Sequence, residues 1–291
     1  MMQSLLFYIQ RLDRLTFFRQ TVFGLSWMLA TVLLALGSFP ERSISLERWF
    51  YLFLAFFSAR SVGMCLNRLI DRYIDAENPR TRHRPIPRGE ISVRFAATQV
   101  AVFMLLFFFS CWNLGLGCFL LSCAIGVLVS VYSYLKRITA LCHFGLGLVH
   151  MLVPITTWVA CVGVWSIEPV LLGLSLLCSI AAGDILYACQ DIEFDRSHGL
   201  KSIPARFGIP KSVDLAKLLH CLSVLFLVIM ADFFPGQPVL LPAALAVAGV
   251  YYICYKRLMK FGFEKSFFFA NTYSGLSFFL FVLLECVWRA L

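Results

Sequence analysis

The chain has 291 residues, of which 60% are hydrophobic and only 14% are charged, and its mean hydropathy is +0.82. Soluble globular domains are about 25% charged and about 45–50% apolar, so the composition excludes an ordinary soluble domain and indicates an integral membrane protein. The net charge of +9 does not predict a nucleic-acid partner, because the basic residues occupy short loops beside apolar segments and form no domain that could dock a duplex.

Nine apolar segments follow one another along the chain, and each is long enough to cross the hydrocarbon core of a bilayer. They lack the alternation of strands, and backbone groups in lipid must be hydrogen-bonded within the segment, so helices are predicted. The fourth span is separated from the third by a turn near Cys111–Gly117, inferred from Asn113 and Gly115. The predicted spans are 17–38, 49–70, 95–112, 114–134, 140–164, 168–187, 213–232, 238–255 and 267–288.

The basic residues predict the orientation of these spans. When the connections are assigned to alternate sides, 21 of the 25 lysines and arginines fall on one side. Only Arg42, Arg48 and Arg289 fall on the other side, and Arg60 lies inside the second span. The positive-inside rule then predicts a cytoplasmic N-terminus and a C-terminus outside.

No stretch between the spans is long enough for a separate soluble domain, so residues 1–291 are predicted to form a single integral-membrane domain. The two long polar connections, 71–94 and 188–212, each follow an apolar segment that ends in paired aspartates. This repetition suggests a weak internal duplication, with helices 1–4 and 5–8 as the two halves and helix 9 in addition.

The first pair of aspartates belongs to a stripe formed by Asn67, Asp71 and Asp75, which are four residues apart and share one helical face. Carboxylates so placed repel each other unless a cation lies between them. Carboxylate and amide oxygens suit Mg²⁺, which can bridge to a diphosphate. The alternative is a solvated helix end with salt bridges to nearby arginines.

The second pair, Asp191 and Asp195, repeats the arrangement, and Glu193 between them either adds a ligand or faces water. Asp184 lies one or two turns earlier inside apolar sequence, where an ionisable residue indicates function. Two such pairs predicted on one membrane face favour a metal site over solvated helix ends. The five histidines have no metal-ligand spacing, and polar contacts between helices are expected for them.

Basic residues follow both pairs. Arginine and lysine side chains suit phosphate oxygens, so together with the metal they are predicted to hold a diphosphate. The candidates are Arg80, Arg82, Arg84, Arg88, Lys136, Arg137, Lys201 and Arg206, with Ser202 beside them.

Three motifs carry a resemblance to a known family. The patterns N-x-x-x-D-x-x-x-D, R-T-x-x-R-P and Y-A-x-x-D-x-x-x-D-x-x-x-G-x-x-S resemble those of the UbiA superfamily of intramembrane prenyltransferases. A fourth segment, from Tyr132 to Thr139, is similar to the family's Y-x-x-x-K-R-x-T. The matching residues of the three motifs are Asn67, Asp71, Asp75, Arg80, Thr81, Arg84, Pro85, Tyr187, Ala188, Asp191, Asp195, Gly199 and Ser202.

The resemblance implies nine helices around a central cavity, Mg²⁺ as cofactor and a polyprenyl diphosphate donor. The positive-inside rule places both aspartate motifs on the cytoplasmic face, so the expected location is the plasma membrane (bacterial inner membrane) with the active site facing the cytoplasm. The segments around Pro79 and Asp184 look most like the 4-hydroxybenzoate polyprenyltransferase-like branch, which implies an aromatic acid acceptor in quinone biosynthesis. Prenylation of a dihydroxynaphthoate for menaquinone is the alternative within the family. An ion-coupled transporter is the non-enzyme alternative, although transporters place their charges near the membrane midplane.

The resemblance also implies roles for individual residues. The four motif aspartates, with Asn67, would hold the metal, and Tyr187 would form a hydrogen bond near it. Arg137 is a candidate partner for the acceptor's carboxylate. Asp184 would orient a ligand or position the acceptor's hydroxyl.

Overall fold

The structure is a computed structural model that describes residues 10–16, 21–234 and 238–291, and within these ranges every regular element is helical. A short helical stretch covers residues 10–16. A 3-10 turn covers Cys189–Asp191. The labelled helices are α1 (Thr21–Ser38), α2 (Leu46–Ile70), α3 (Arg72–Glu77), α4 (Val93–Leu114), α5 (Leu116–Ile138), α6 (Cys142–Val162), α7 (Glu168–Ala188), α8 (Ile192–Ser197), α9 (Ile203–Phe233) and α10 (Leu240–Ala290).

Seven of the described helices are long and apolar enough to cross a membrane, and α1 contains a shorter apolar helix, Gly24–Ser38. Each predicted span overlaps one of these helices over most of its length, and residues 17–20 of the first span lie outside the described residues. The predicted spans 114–134, 140–164 and 238–255 extend one or two residues beyond the helix ends. The predicted turn between the third and fourth spans is confirmed at Gly115, which ends α4 with a φ of 127°. The chain is therefore an all-helical membrane protein.

The last two predicted spans lie in one long helix, α10, which is interrupted at Gly262 with φ 74° and ψ 170°. Twelve residues of straight helix would separate its ends by about 18 Å. The Sγ atom of Cys254 instead lies 3.5 Å from the backbone oxygen of Ser266. The chain therefore folds back at Gly262, and α10 is a hairpin of two helices.

The chain forms two compact units. The first contains the described residues up to Val22 together with Ser45–Tyr134, and in it α2 packs against α4. A small apolar cluster fastens the loop after the first aspartate pair to these helices, because Ile86 and Ile91 of that loop pack with residues of α2 and α4. The buried members of the cluster are Leu15, Cys65, Ile86, Ile91 and Ala96.

The second unit contains Phe23–Ile44 and Leu135–Leu291, and in it α7 packs against both α6 and α9. Glycines allow α6 and α7 to approach closely. A Cβ atom on Gly147 would lie 2.7 Å from the Leu177 carbonyl oxygen, and one on Gly173 would lie 2.5 Å from that of Met151. The two contacts run in opposite directions along the two helices, as expected for antiparallel neighbours.

Candidate functional site

The first aspartate pair lies where α2 gives way to α3, in the first unit. Asp71 is the residue between the two helices, with φ −89° and ψ 5°. Helical hydrogen bonding nevertheless continues through it, from the Asp71 N–H to the Asn67 oxygen (2.9 Å) and from the Asp75 N–H to the Asp71 oxygen (2.7 Å). The predicted stripe of three side chains therefore keeps its helical spacing across the break.

Asp71 is almost fully buried, at 1% exposure. The Asn67 amide nitrogen donates to Asp71 Oδ2 over 3.1 Å and lies 3.3 Å from the Ser133 hydroxyl. An ionised carboxylate so far from bulk water is unfavourable without polar or cationic partners. The packing thus holds one carboxylate oxygen of Asp71 in place.

Asp75 is also buried and is paired with Arg84. The Arg84 Nη1 atom lies 2.9 Å from Asp75 Oδ1 and 2.8 Å from Oδ2. The Thr81 hydroxyl donates to the Asp75 backbone oxygen over 3.2 Å. The motif R-T-x-x-R therefore folds back onto the second aspartate of the first pair.

The loop that follows is ordered by its own backbone hydrogen bonds. The Asn78 side-chain oxygen accepts from the Arg80 N–H over 2.9 Å, which starts a turn. The Ile91 N–H donates to the Pro85 oxygen over 3.1 Å and closes the loop. Arg80 is half-buried within this loop, one residue before Thr81.

The second aspartate pair lies where α7 ends, in the second unit. The 3-10 turn contains Asp191, and α8 carries Glu193 and Asp195. Asp195 is buried, Asp191 is half-buried and Glu193 is exposed. Of the two possibilities for Glu193, the structure favours the one in which its side chain faces water.

Asp195 is held by the start of α9. The Ser202 hydroxyl donates to Asp195 Oδ2 over 2.7 Å, and Ser202 also caps α9 by accepting the Ala205 N–H. Gly199, with φ 66°, permits the sharp turn between the two residues. The G-x-x-S portion of the motif thus shapes the loop around the second aspartate.

The predicted phosphate-binding residues of this unit are joined through the backbone. The Lys201 N–H donates to the Lys136 oxygen over 2.7 Å, and Lys201 Nζ donates to the Ile138 oxygen over 3.0 Å. Lys136 interacts electrostatically with Asp195. Arg137 is half-buried in the last turn of α5.

Asp184 and Tyr187 project from α7 before the second pair. The Asp184 Oδ2 atom lies 2.6 Å from Nδ1 of His143 on α6. The Tyr187 ring lies against Phe267, with ring centroids 5.0 Å apart. This contact confirms the expected polar contact between helices for His143. The sequence did not identify Asp184 as its partner, because a contact across 41 positions leaves no local spacing pattern.

Arg60 is a second residue that sequence reasoning left without a role. It lies within the apolar helix α2 and is close enough to Tyr132 of α5 to interact electrostatically. The signal was present in the sequence, since a charge inside an apolar span marks a functional position. Its spacing from Asn67, seven residues, places it two turns from the aspartate stripe on the same side of the helix.

Among the residues that the structure describes, no group of three or more His, Cys, Asp or Glu side chains gathers to hold a metal ion. Each motif offers two carboxylates, and oxygen is the ligand atom that Mg²⁺ prefers. Mg²⁺ keeps several water or phosphate ligands, so two carboxylates fit a metal that is shared with a bound diphosphate. The donor set therefore suits a magnesium–diphosphate complex better than a metal site built from protein alone.

The comparison with known proteins agrees with this interpretation of the donor set. The model of the UbiA prenyltransferase family matches residues 25–283 of the chain. The 4-hydroxybenzoate octaprenyltransferase of Pectobacterium carotovorum subsp. carotovorum (strain PC1) is 29% identical over 243 residues, which cover 78% of this chain and 79% of that protein.

Solved structures resemble the fold. The apo structure of a UbiA homolog from Aeropyrum pernix K1 superposes with a TM-score of 0.81 and 25% identity, covering 94% of this chain and 98% of that one. A UbiA homolog from Archaeoglobus fulgidus bound to GPP and Mg²⁺ superposes with a TM-score of 0.64 and 20% identity, covering 91% of this chain and 99% of that one.

Proposed function

Because this chain belongs to the UbiA prenyltransferase family and is an aromatic prenyltransferase of the membrane, we propose that it transfers a polyprenyl group from polyprenyl diphosphate to 4-hydroxybenzoate, with Mg²⁺ as cofactor. The observation that carries the proposal is the pair of aspartate motifs, in which Asp71, Asp75 and Asp195 are buried and each is held by a hydrogen bond or an ion pair. The acceptor is inferred from the curated relatives, and the metal from the Mg²⁺ in the Archaeoglobus homolog together with the oxygen-rich donor set.

We assign diphosphate binding to both motifs and to the basic residues beside them. Asp71, Asn67 and Asp75 would hold Mg²⁺ in the first unit, and Asp191 and Asp195 in the second. The bound metal would neutralise the charge that develops on the leaving diphosphate. Phosphate oxygens would be met by basic side chains, namely Arg80, Arg84, Lys136, Arg137 and Lys201.

The protein's own part in the chemistry is to stabilise charge and to exclude water. The allylic carbon–oxygen bond breaks, and the electron pair leaves with the diphosphate. A ring carbon of the acceptor then forms the new carbon–carbon bond, and the ring loses a proton to restore aromaticity. Aromatic side chains such as Tyr187 and Phe267 offer ring faces that stabilise a cation and keep water away.

The acceptor's carboxylate needs a positive partner in apolar surroundings. We propose Arg137 for this role, because it is a half-buried cation in the last turn of α5. A guanidinium presents two parallel donors to a carboxylate. A neutral phenol without the carboxylate should therefore be a poor acceptor.

We further propose nine membrane crossings in a single domain, with the N-terminus and both aspartate motifs on the cytoplasmic side of the bacterial inner membrane. The hairpin at Gly262 supports the count, because it divides α10 into two spans. The seven helices identified by length and apolarity, the shorter α1 and this division together give nine. The distribution of basic residues supports the orientation.

The aspartate assignment predicts a sharp contrast between neighbouring residues. Asp71→Ala and Asp191→Ala should each abolish transfer and metal-dependent donor binding, because each removes a proposed magnesium ligand. Glu193→Gln is the matched control and should retain most activity, since Glu193 is exposed. Radiolabelled prenyl transfer and Mg²⁺ titration with purified, folded protein measure the effect. Near-full activity in both aspartate variants would refute the assignment.

The acceptor is tested with a panel of aromatic compounds supplied to the purified enzyme with polyprenyl diphosphate and Mg²⁺. We expect 4-hydroxybenzoate to give the highest kcat/KM. Preference for a dihydroxynaphthoate would move the enzyme to menaquinone biosynthesis. Homogentisate and haem serve as acceptors of different shape, and a preference for either would contradict the proposal.

A further inference from the structure

The contact between His143 and Asp184 links three elements of the second unit. His143 lies in the first turn of α6 and is 2% exposed, whereas the Asp184 side chain on α7 keeps 29% of its surface exposed. Besides its 2.6 Å contact with Asp184, the imidazole meets the start of α9, where Ile203 N–H donates to Nε2 over 3.3 Å. One ring therefore joins α6, α7 and α9.

The second of these contacts determines where the ring proton lies. A backbone N–H can only donate, so Nε2 must act as an acceptor and carries no proton. The proton is then on Nδ1, which donates to Asp184 Oδ2. This tautomer satisfies both ring nitrogens and directs the hydrogen bond at the carboxylate.

The surroundings make this arrangement rigid. Ile203 and the α7 residues on either side of Asp184 belong to one buried apolar cluster, which includes Ala182, Ile185 and Leu186. Gly183 lies against Asn271, and a Cβ atom there would come within 2.7 Å of the asparagine Nδ2. Since α7 cannot shift without disturbing these contacts, His143 fixes the rotamer of Asp184 on a fixed backbone.

The position of Asp184 along α7 suits a contact with the acceptor better than a contact with the diphosphate. It precedes Asp191 by seven residues, which corresponds to about 10 Å along a helix. At that distance Asp184 cannot bind a metal that is held by Asp191. The distance fits the aromatic acceptor, which is the other substrate that the site must hold. The acceptor's hydroxyl activates the ring toward the allylic carbon and can donate a hydrogen bond to a carboxylate.

We propose that His143 is a positioning residue for prenyl transfer: it orients Asp184 so that this carboxylate receives the hydroxyl of the aromatic acceptor. The inference rests on the proposed function and deepens it, because it names the acceptor subsite in the second unit. It gives His143 no direct contact with substrate or metal.

Two conservative substitutions separate the hydrogen bonds of His143. The amide nitrogen of Asn replaces Nδ1 and preserves the bond to Asp184, whereas the amide oxygen of Gln reaches the position of Nε2 and preserves the bond to Ile203. We expect His143→Asn to keep kcat/KM for the acceptor within about threefold of wild type, and His143→Gln to lower it by about tenfold or more. The KM for the donor should be unchanged in both.

A purely structural role predicts a different outcome. Each variant loses one hydrogen bond, so equal loss of stability and equal changes in donor and acceptor parameters would overturn the proposal. Melting temperatures in detergent supply the stability measurement. His150→Leu is the matched control, because His150 lies on the same helix two turns further along and contacts the Leu146 backbone oxygen.

Asp184→Asn keeps the proposal testable if a His143 variant fails to fold. It preserves the shape of the side chain and can still accept from Nδ1, but it loses the charge. We expect a raised KM for the acceptor and no further loss when His143→Gln is added; wild-type acceptor kinetics in Asp184→Asn would overturn the proposal. The assay of the wild type with the acceptor panel tests the proposed function. The variants are then assayed with whichever acceptor the wild type uses, so that failure of this proposal is distinguished from failure of the proposed function.

Discussion

The ion pair between Asp75 and Arg84 gives the Arg84 side chain two roles. Its carboxylate is buried and both of its oxygens contact Arg84 Nη1. Removing one partner of a buried ion pair is strongly destabilising, because it leaves the other charge buried without compensation. Arg84 is therefore expected to stabilise the loop as well as to bind phosphate, and a loss of activity in an Arg84 variant would by itself not distinguish the two roles.

A pair of variants separates these roles. Arg84→Ala should lower the free energy of unfolding by about 3 kcal/mol, because it leaves the Asp75 charge without its partner. Adding Asp75→Asn removes that charge, so the double variant should recover most of the stability while transfer stays absent. Thermal unfolding in detergent and prenyl-transfer assays measure the two effects. If the double variant regained activity, Asp75 would have no role in binding the metal.

At the scale of elements, two glycines interrupt helices in the same way. Gly208 in α9 and Gly262 in α10 have φ near 79° and 74° and ψ near 171° and 170°. This region of backbone conformation is open to glycine and closed to residues with a Cβ atom. The break in α9 follows the loop that carries Ser202, and the break in α10 reverses the chain.

The hairpin turn gives a prediction with an internal control. Gly262→Ala should destabilise the protein by about 1–3 kcal/mol, because alanine is strained at this φ and ψ. Gly249→Ala lies in the same element, and a Cβ atom there would meet nothing within 4 Å. That control should be neutral or stabilising by up to about 1 kcal/mol, as expected for alanine in a helix. The melting temperatures of the two variants in detergent measure the difference. Equal melting temperatures would contradict the claim that alanine is strained at position 262.

At the scale of the whole molecule, the distribution of charge determines how the chain is inserted. The connection 71–94 is rich in arginine, whereas the connection between α1 and α2 contains Glu41 and Arg42. Lysine and arginine are retained on the cytoplasmic side during insertion. The orientation of the enzyme in turn decides from which side the diphosphate and the acceptor reach it.

Cysteine labelling tests this orientation. His83→Cys and Glu41→Cys place thiols at exposed positions of the two connections. A membrane-impermeant maleimide should label Glu41→Cys in intact cells and His83→Cys only in inside-out vesicles. The wild type, with its eleven native cysteines, provides the background. The opposite pattern would place the aspartate motifs outside the cytoplasm.

The sequence by itself determined the helical class, the approximate positions of the long apolar helices and the four-residue spacing within both aspartate motifs. These depend on local properties: the length of an apolar run, a four-residue spacing and a glycine or serine at a helix end. The turn at Gly115 and the motif residues around Gly199 and Ser202 belong to this group.

Only the tertiary structure decided which side chains are partners. Arg84 pairs with Asp75 because the loop between them turns back, and His143 meets Asp184 because glycines bring α6 and α7 close together. The reversal at Gly262 was likewise decided by contacts between residues 254 and 266. His143 and Asp184 lie 41 positions apart, and the two nearer contacts depend on how the chain between them turns, so no spacing pattern in the sequence identifies the partners.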